Sequence, residues 1–312
     1  MGFTLHGYRI TRQIGTGAGS RIYLAVHLES NHPVAVKRVI RGSADDDPFL
    51  AQVENEFEIS SKIDNRHIRR GLELHRVRKM LQVRELVLVM EHVDGLTLES
   101  ARPNRLDTFL ALFQKVATGL HAMHEHGYIH TDIKPNNIMI ARGGVVKIID
   151  FGQSCPIGHR KERIQGTPDF IAPEQVRRLQ LDRRTDVFNL GATMYWVLTS
   201  ERYPTALPQG AAGGEFHLVP STKAVEPIEL NDKIPRSLSN LVMECCKDNP
   251  DARPVDMTML ISRLDTIRKL WRQQRENMRE KLRVVRPGDS NDAPVSSGAI
   301  EDNPAGNEDT NG

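Results

Sequence analysis

Asp132, Lys134 and Asn137 stand close together in HTDIKPNN (130–137), and a further carboxylate, Asp150, follows in IIDFGQ (148–153). An ionised Asp can take the proton of a hydroxyl nucleophile, and an ammonium can spread positive charge over phosphoryl oxygens. An Asn amide oxygen beside a second carboxylate supplies hard ligands for a divalent cation. Phosphoryl transfer asks a protein for these parts, because the reaction needs positioning and charge neutralisation and little covalent chemistry. Taken singly, each residue reads better as a turn Asx or a surface charge; their joint occurrence in this order carries the inference.

Upstream, Gly15, Gly17 and Gly19 lie in IGTGAGSRIYLA (14–25), between two β-patterned runs. Closely spaced glycines let backbone N–H groups approach phosphate oxygens with no Cβ in the way. A hairpin with a glycine turn would read the same. It is not a dinucleotide fingerprint, since a strand follows instead of a helix, and the Gly-Lys-Ser/Thr of a P-loop is missing. Lys37 closes the alternating run VAVK (34–37), and an inward ammonium needs a partner because an unpaired buried charge is costly. Glu56 and Glu58 on the next helix point about 200° apart. Glu56 shares the face of Val53, Ser60 and Ile63, whereas Glu58 falls with Glu54, Ser61 and Asn65. Glu56 is the expected partner, and Glu58 a solvated surface charge.

The elements that must hold these residues follow from hydrophobic period. Residues 8–40 read as three antiparallel strands, 48–63 as a helix with Phe49, Val53, Phe57 and Ile63 at helical spacing, and 72–77 and 85–90 as two more strands. The pattern then turns helical: 106–127 is a long amphipathic helix ending at Gly127, followed by short β pieces at 138–140 and 145–149. Helices are expected at 184–199, 236–247 and 255–285, and a Pro- and Gly-bearing loop insertion at 201–235. In the last helix Met257, Leu260, Leu264, Ile267 and Trp271 form a 3–4 stripe that weakens beyond Trp271.

With 312 residues, 39% apolar and 26% charged, the chain has the composition of a soluble globular protein of two domains or lobes. Its net charge of +2 gives no reason to expect nucleic acid. Charge is uneven: residues 262–286 hold nine Lys/Arg against three Asp/Glu, and 287–312 hold six acids with no Lys or Arg. That last segment has little to bury and is expected to be disordered. No run of about 18 apolar residues occurs, so no membrane span is expected. MGFTLH lacks a signal-peptide layout, and His6 stands where a myristoylation signal has Ser or Thr. Cys155, Cys245 and Cys246 form neither a disulfide framework nor a zinc spacing and are read as free thiols of a cytoplasmic protein.

Over residues 8–270 the chain resembles the eukaryotic-type (Hanks-type) Ser/Thr protein kinase family, in an HTD variant with Thr131 where Arg is usual. The resemblance is carried by GTGAGSRI (15–22), VAVK, Glu56, HTDIKPNN, DFG, GTPDFIAPE (166–174), RTDVFNLG (184–191) and Arg253 in DARP. It implies an α+β bilobal fold, with a small antiparallel-sheet lobe carrying one key helix and a larger, mainly helical lobe. The expected parts are an extension (1–7), small lobe (8–90), hinge (91–95), large lobe (96–271), basic helical extension (272–286) and acidic tail (287–312).

The resemblance also implies ATP and Mg2+ (or Mn2+) as cofactors. Adenine would lie between Ile14, Ile22 and Ala35, with Glu91 C=O and Val93 N–H at its edge and Met90 as gatekeeper. Gly15, Gly17, Gly19 and Ser20 would cover the phosphates that Lys37 binds, supported by Glu56. Asp132 and Lys134 would be catalytic, Asn137 and Asp150 would hold metal, and Thr167 would belong to the loop receiving the substrate residue. Glu174 would pair with Arg253, and Asp186 would support the catalytic loop. Lys134 and GTPDF favour Ser/Thr over Tyr as acceptor. Short loops, a compact domain and the HTD variant resemble bacterial members.

Three departures bear on function. Ser20 occupies the place of the third loop glycine, so loop mobility should change with ATP binding kept. Ser60 stands where the family places an apolar residue, which is expected to loosen the helix bearing Glu56. Thr131 brings no charge to a position where Arg usually awaits a loop phosphate, and IGHRKERIQ (157–165) contains no hydroxyl. The expectation is an active protein kinase that needs no activation-loop phosphorylation. A nucleotide-binding pseudokinase is the alternative from another class, and a small-molecule phosphotransferase is disfavoured by GTPDFIAPE. Protein substrates are the expected partners. The basic helix 272–286 is read as a solvated extension, with a partner or acidic-surface contact as the second reading. Ser290, Ser296, Ser297 and Thr310 are accessible candidates for autophosphorylation.

Overall fold

The computed structural model describes residues 3–17, 19–205 and 224–284. The 287–312 tail with its four candidate phosphosites, and much of the expected 201–235 insertion, lie outside the described residues. The chain divides into two compact units, 1–272 and 273–312.

The first unit opens on an antiparallel sheet of six strands among the described residues: β1 (Thr4–Leu5), β2 (Tyr8–Gly17), β3 (Ser20–His27), β4 (Pro33–Ile40), β5 (Gly71–Lys79) and β6 (Gln82–Glu91), in spatial order β1-β2-β3-β4-β6-β5. Helix α1 (Asp47–Lys62) connects β4 to β5. Strand alternation sends Val34 and Val36 of β4 into a cluster with Tyr8, Ile10, Tyr23, Val87 and Val89. Ala35 and Val39 go to the opposite face, against Leu50 and Val53 of α1 and Leu86, Leu88 and Met90 of β6. Lys37 has the parity of Ala35 and Val39, so its side chain starts on the α1 face.

The helical lobe follows β7 (Gly95–Thr97). Its helices are α2 (Leu106–Glu125), the short α3 (Pro173–Val176), α4 (Arg183–Thr199), the short α5 (Pro227–Leu230), α6 (Arg236–Cys245) and α7 (Met257–Val284). Phe109, Phe113, Val116 and Leu120 of α2 meet Leu190 and Met194 of α4, Leu238 and Leu241 of α6, and Leu260 and Leu264 of α7 in one core. The segment read as a loop at 201–235 is therefore not loop throughout, because Pro227 presets the helical φ that starts α5.

Between α2 and α4 the chain forms β8 (Tyr128–Ile129), β9 (Ile138–Ala141), β10 (Val146–Ile148) and β11 (Cys155–Pro156), paired as β10-β9-β7 and β11-β8. These short ladders bracket the polar loops 130–137 and 149–154. No helix among the described residues is long and apolar enough to cross a membrane. Of the second unit, α7 is described as far as Val284, and its residues 273–280 are exposed.

Candidate active site

The helical phase of α1 buries Leu50, Val53, Glu56, Ile59 and Ser60 together. Glu56 is 1% exposed, and its Oε2 accepts from Lys37 Nζ at 2.6 Å. Glu58 stays at the surface, paired with Lys62. The sequence did not reveal Arg69, whose guanidinium donates to Glu56 Oε1 at 2.5 Å. Lys37 also lies 3.6 Å from Asp150 Oδ1. Burial works against the Lys37 ammonium, but Glu56 and Asp150 outweigh it and hold its pKa above the ordinary lysine value. At Asp150 desolvation pushes the other way too, and Lys37, Arg69 and Lys134 keep the carboxyl below its usual range. Asn55, also unforeseen, donates from Nδ2 to the carbonyls of Phe151 (3.1 Å) and Ser154 (2.8 Å), tying α1 to the segment that carries Asp150.

Asp132 is buried, and its carboxylate accepts from Lys134 Nζ at 2.8 Å and from Thr167 Oγ1 at 2.8 Å. Lys134 also donates to Thr167 Oγ1 at 2.7 Å, closing a triangle. Asn137 Nδ2 donates to the Asp132 carbonyl at 2.8 Å. His130, with its proton on Nε2, donates to Ile149 O and accepts Asp132 N–H at Nδ1. Beneath the loop, fully buried Asp186 accepts from His130 N (2.9 Å), Thr131 N (2.8 Å) and His124 Nε2 (2.8 Å). Burial penalises that charge, yet these donors keep the Asp186 carboxyl below the usual carboxylate range. Farther down, Arg253 grips Glu174 with two 2.8 Å bonds, both side chains buried.

The departures resolve in physical terms. Gly19 turns at φ +64°, and a Cβ there would collide with the Phe49 ring. Ser20 begins β3 with its side chain buried. Ser60 donates from Oγ to the Glu56 carbonyl at 2.5 Å, so its polar atom is satisfied inside α1, a back-bond of the kind that slightly weakens a helix. Thr131 brings no charge of its own, and its Oγ1 accepts a hydrogen bond from Lys161 Nζ at 2.7 Å. Sequence separation of 30 residues gave no sign of that contact.

Ala35 and Met90 face each other across β4 and β6, both buried, while Ile14 is exposed at the sheet's edge. Glu91 N–H is taken by Arg70 O at 2.9 Å, and its carboxylate by Lys147 at 2.9 Å, which fixes the backbone between the lobes. The residues fit a nucleotide with a divalent ion. Asp150 lies beside Lys37 yet keeps 47% of its side chain open, and the Asn137 amide nitrogen is turned to Asp132, which leaves its oxygen as the atom that could face a metal. No group of three or more His, Cys, Asp or Glu able to hold a metal occurs among the described residues. Asp150 and Asn137 would hold a hard ion such as Mg2+ through one carboxylate and one amide oxygen, with phosphate oxygens and water as its other ligands.

A bilobal fold with these polar loops between sheet and helices defines a phosphotransferase scaffold, and residues 8–263 match the protein kinase domain. The chain belongs to the protein kinase family. It is similar to a probable serine/threonine-protein kinase of Clostridium acetobutylicum, 26% identical over 97% of this chain and 45% of that protein. Serine/threonine-protein kinase A of Synechocystis sp. is 30% identical over 83% of this chain and 53% of its own. Serine/threonine-protein kinase PrkC of Bacillus subtilis is 26% identical over 78% and 38% respectively. All three are bacterial, and the chain spans about half the length of these relatives or less.

Proposed function

We propose that this chain transfers the γ-phosphoryl group of ATP to Ser or Thr hydroxyls of proteins in the cytoplasm, with Mg2+ (or Mn2+), and does so without phosphorylation of its 150–174 segment. The observation that carries the reading is the triangle of Asp132, Lys134 and Thr167 beside Asn137 and Asp150, with Lys37 held between Glu56 and Asp150. In it Asp132 accepts the proton of the attacking hydroxyl, and Lys134 offsets charge developing on the transferred group. Thr167, bonded to both, holds the acceptor side of the site and orients the Asp132 carboxylate. Lys37 binds nucleotide phosphate, oriented by Glu56, while Asn137 and Asp150 supply metal ligands. ATP with its ion supplies the leaving group and the neutralising charge. The hinge atoms Glu91 C=O and Val93 N–H take the adenine edge.

The serine/threonine-kinase names of the relatives support the acceptor class, as do Lys134 and Thr167 at the site. Transfer of labelled phosphate from ATP to myelin basic protein tests the reading. Nucleotide binding with no transfer by the wild-type chain would instead establish the pseudokinase alternative.

A further inference from the structure

Thr131 is a β-branched residue at φ +64°, a left-handed conformation that such side chains strongly avoid, and it is completely buried next to Asp132. A conformation of this kind persists only when its surroundings over-determine it. Here each polar atom of Thr131 is used. Its N–H donates to Asp186 Oδ1 at 2.8 Å, and its carbonyl accepts from Gln175 Nε2 at 2.8 Å. Its hydroxyl donates to the Gln153 carbonyl at 2.9 Å and accepts from Lys161 Nζ at 2.7 Å.

Lys161 is the unusual member of this set. It is 8% exposed, and its two bonds, to Thr131 Oγ1 and to Gln153 O at 2.6 Å, go to neutral oxygens. Burial lowers its pKa, more than Cys155, Asp132 and Asp186 restore. A lysine serving only as a surface charge would keep its head in water. The backbone on its N-terminal side is itself pinned: Gly158 N donates to Leu181 O at 2.8 Å, Leu181 N to His159 O at 2.9 Å, and Arg160 bridges Gln180. On the other side Gln175 Nε2, bonded to Thr131 O, also donates to Gln165 O at 3.1 Å. A hydrogen-bonded path thus runs from residues 180–181 through 158–161 to Thr131, the residue before Asp132.

We propose that Lys161 is a positioning residue for the phosphoryl-transfer site: from inside the 150–174 segment it locks Thr131, and through it Asp132, with no phosphate needed. The proposal rests on the function proposed above, because it assigns Asp132 a reaction to be positioned for. Residues 157–165 contain no hydroxyl, so this stretch has no phosphate of its own to use instead.

The test is a double-mutant cycle of Lys161→Met and Thr131→Val in the full chain, read by steady-state kinetics and amide hydrogen exchange. Lys161→Met is expected to lower kcat about 10- to 100-fold while KM for ATP stays the same, since a shift of the reacting group by about 1 Å costs that much. The double variant should be no worse than the poorer single one, as for two residues acting through one contact. Exchange should accelerate in 153–166 and not in the lobe cores. Wild-type kcat in Lys161→Met overturns the proposal, as do additive losses with faster exchange throughout the chain. If Lys161→Met does not fold, Thr131→Val, which removes the same contact from the other side, decides by the same kinetic and exchange criteria. If the wild-type chain transfers no phosphate, the proposed function fails, and the exchange arm still decides whether Lys161 locks the segment.

Discussion

At the scale of single residues, charge pairing decides which substitutions remove chemistry and which remove the fold. Lys37→Met leaves Glu56 bonded to Arg69, so a folded protein with little transfer is expected. Asp132→Asn keeps the shape of the triangle and loses the proton acceptor, a change worth about 10²–10⁴-fold in rate. Near wild-type turnover in either variant, with circular dichroism unchanged, would refute the catalytic assignment. Asp150→Ala should additionally abolish Mg2+-dependent nucleotide binding, read by fluorescent-nucleotide titration with and without the metal. Removing Lys37 and Arg69 together is a different experiment: it strands Glu56 as an unpaired buried charge, and about 3–5 kcal/mol of stability should go.

At the scale of elements, α1 is coupled to the 150–174 segment by Asn55 directly and by Glu56 through Lys37, and Lys161 couples that segment to the catalytic loop. Phosphatase-treated protein, shown by mass spectrometry to be unmodified over 150–174, should therefore transfer phosphate from its first turnovers. A lag that ends when a phosphate appears in that segment would contradict this. Helix α7 is fastened to α2 by Arg268 and Arg272, which grip Asp107 and hold its carboxyl well below the usual carboxylate range. A depressed folded pKa gives stability that is present above the unfolded value, near ~4, and is lost as pH falls towards the folded one. Because Arg272 is 54% exposed and screened, Asp107→Asn should cost at most about 1 kcal/mol at neutral pH. Its Tm deficit should shrink as the pH is lowered below about 4; a deficit constant with pH would mean the ion pair is idle.

For the whole molecule, the buried Glu174–Arg253 pair joins the end of the 150–174 segment to the C-terminal helices. Arg253 also donates to the carbonyls of Lys247, Arg184 and Asp248. Arg253→Met should cost about 3–5 kcal/mol, because it leaves Glu174 buried and short of its cation. Thermal unfolding would reveal it as a large fall in Tm, and an unchanged Tm would show that the Thr185 hydroxyl, which donates to Glu174 Oε1 at 2.9 Å, satisfies Glu174 alone. Beyond Pro287 the sequence offers little apolar surface to bury, so ending the chain there should leave Tm within a few degrees and transfer to a generic acceptor unaltered.

What the sequence determined by itself is what local period and chemical type can encode. Strand alternation put Lys37 on the α1 face, and helical phase separated Glu56 from Glu58 although the two are only two residues apart. The order of acid, cation and amide in HTDIKPNN, with Asp150 to follow, carries the phosphoryl-transfer reading proposed above before any fold is drawn. Tertiary structure decided the contacts that no period predicts. Arg69 reaches Glu56 from a connection between α1 and β5, and Asn55 reaches carbonyls almost a hundred residues away. Thr131 looked like the removal of a charge, and in the folded chain its hydroxyl accepts a hydrogen bond from Lys161. Such a contact depends on how a long, flexible side chain is folded back by the turns around it. Its enthalpy exists only after both loops are fixed, so neither loop's own sequence could declare it.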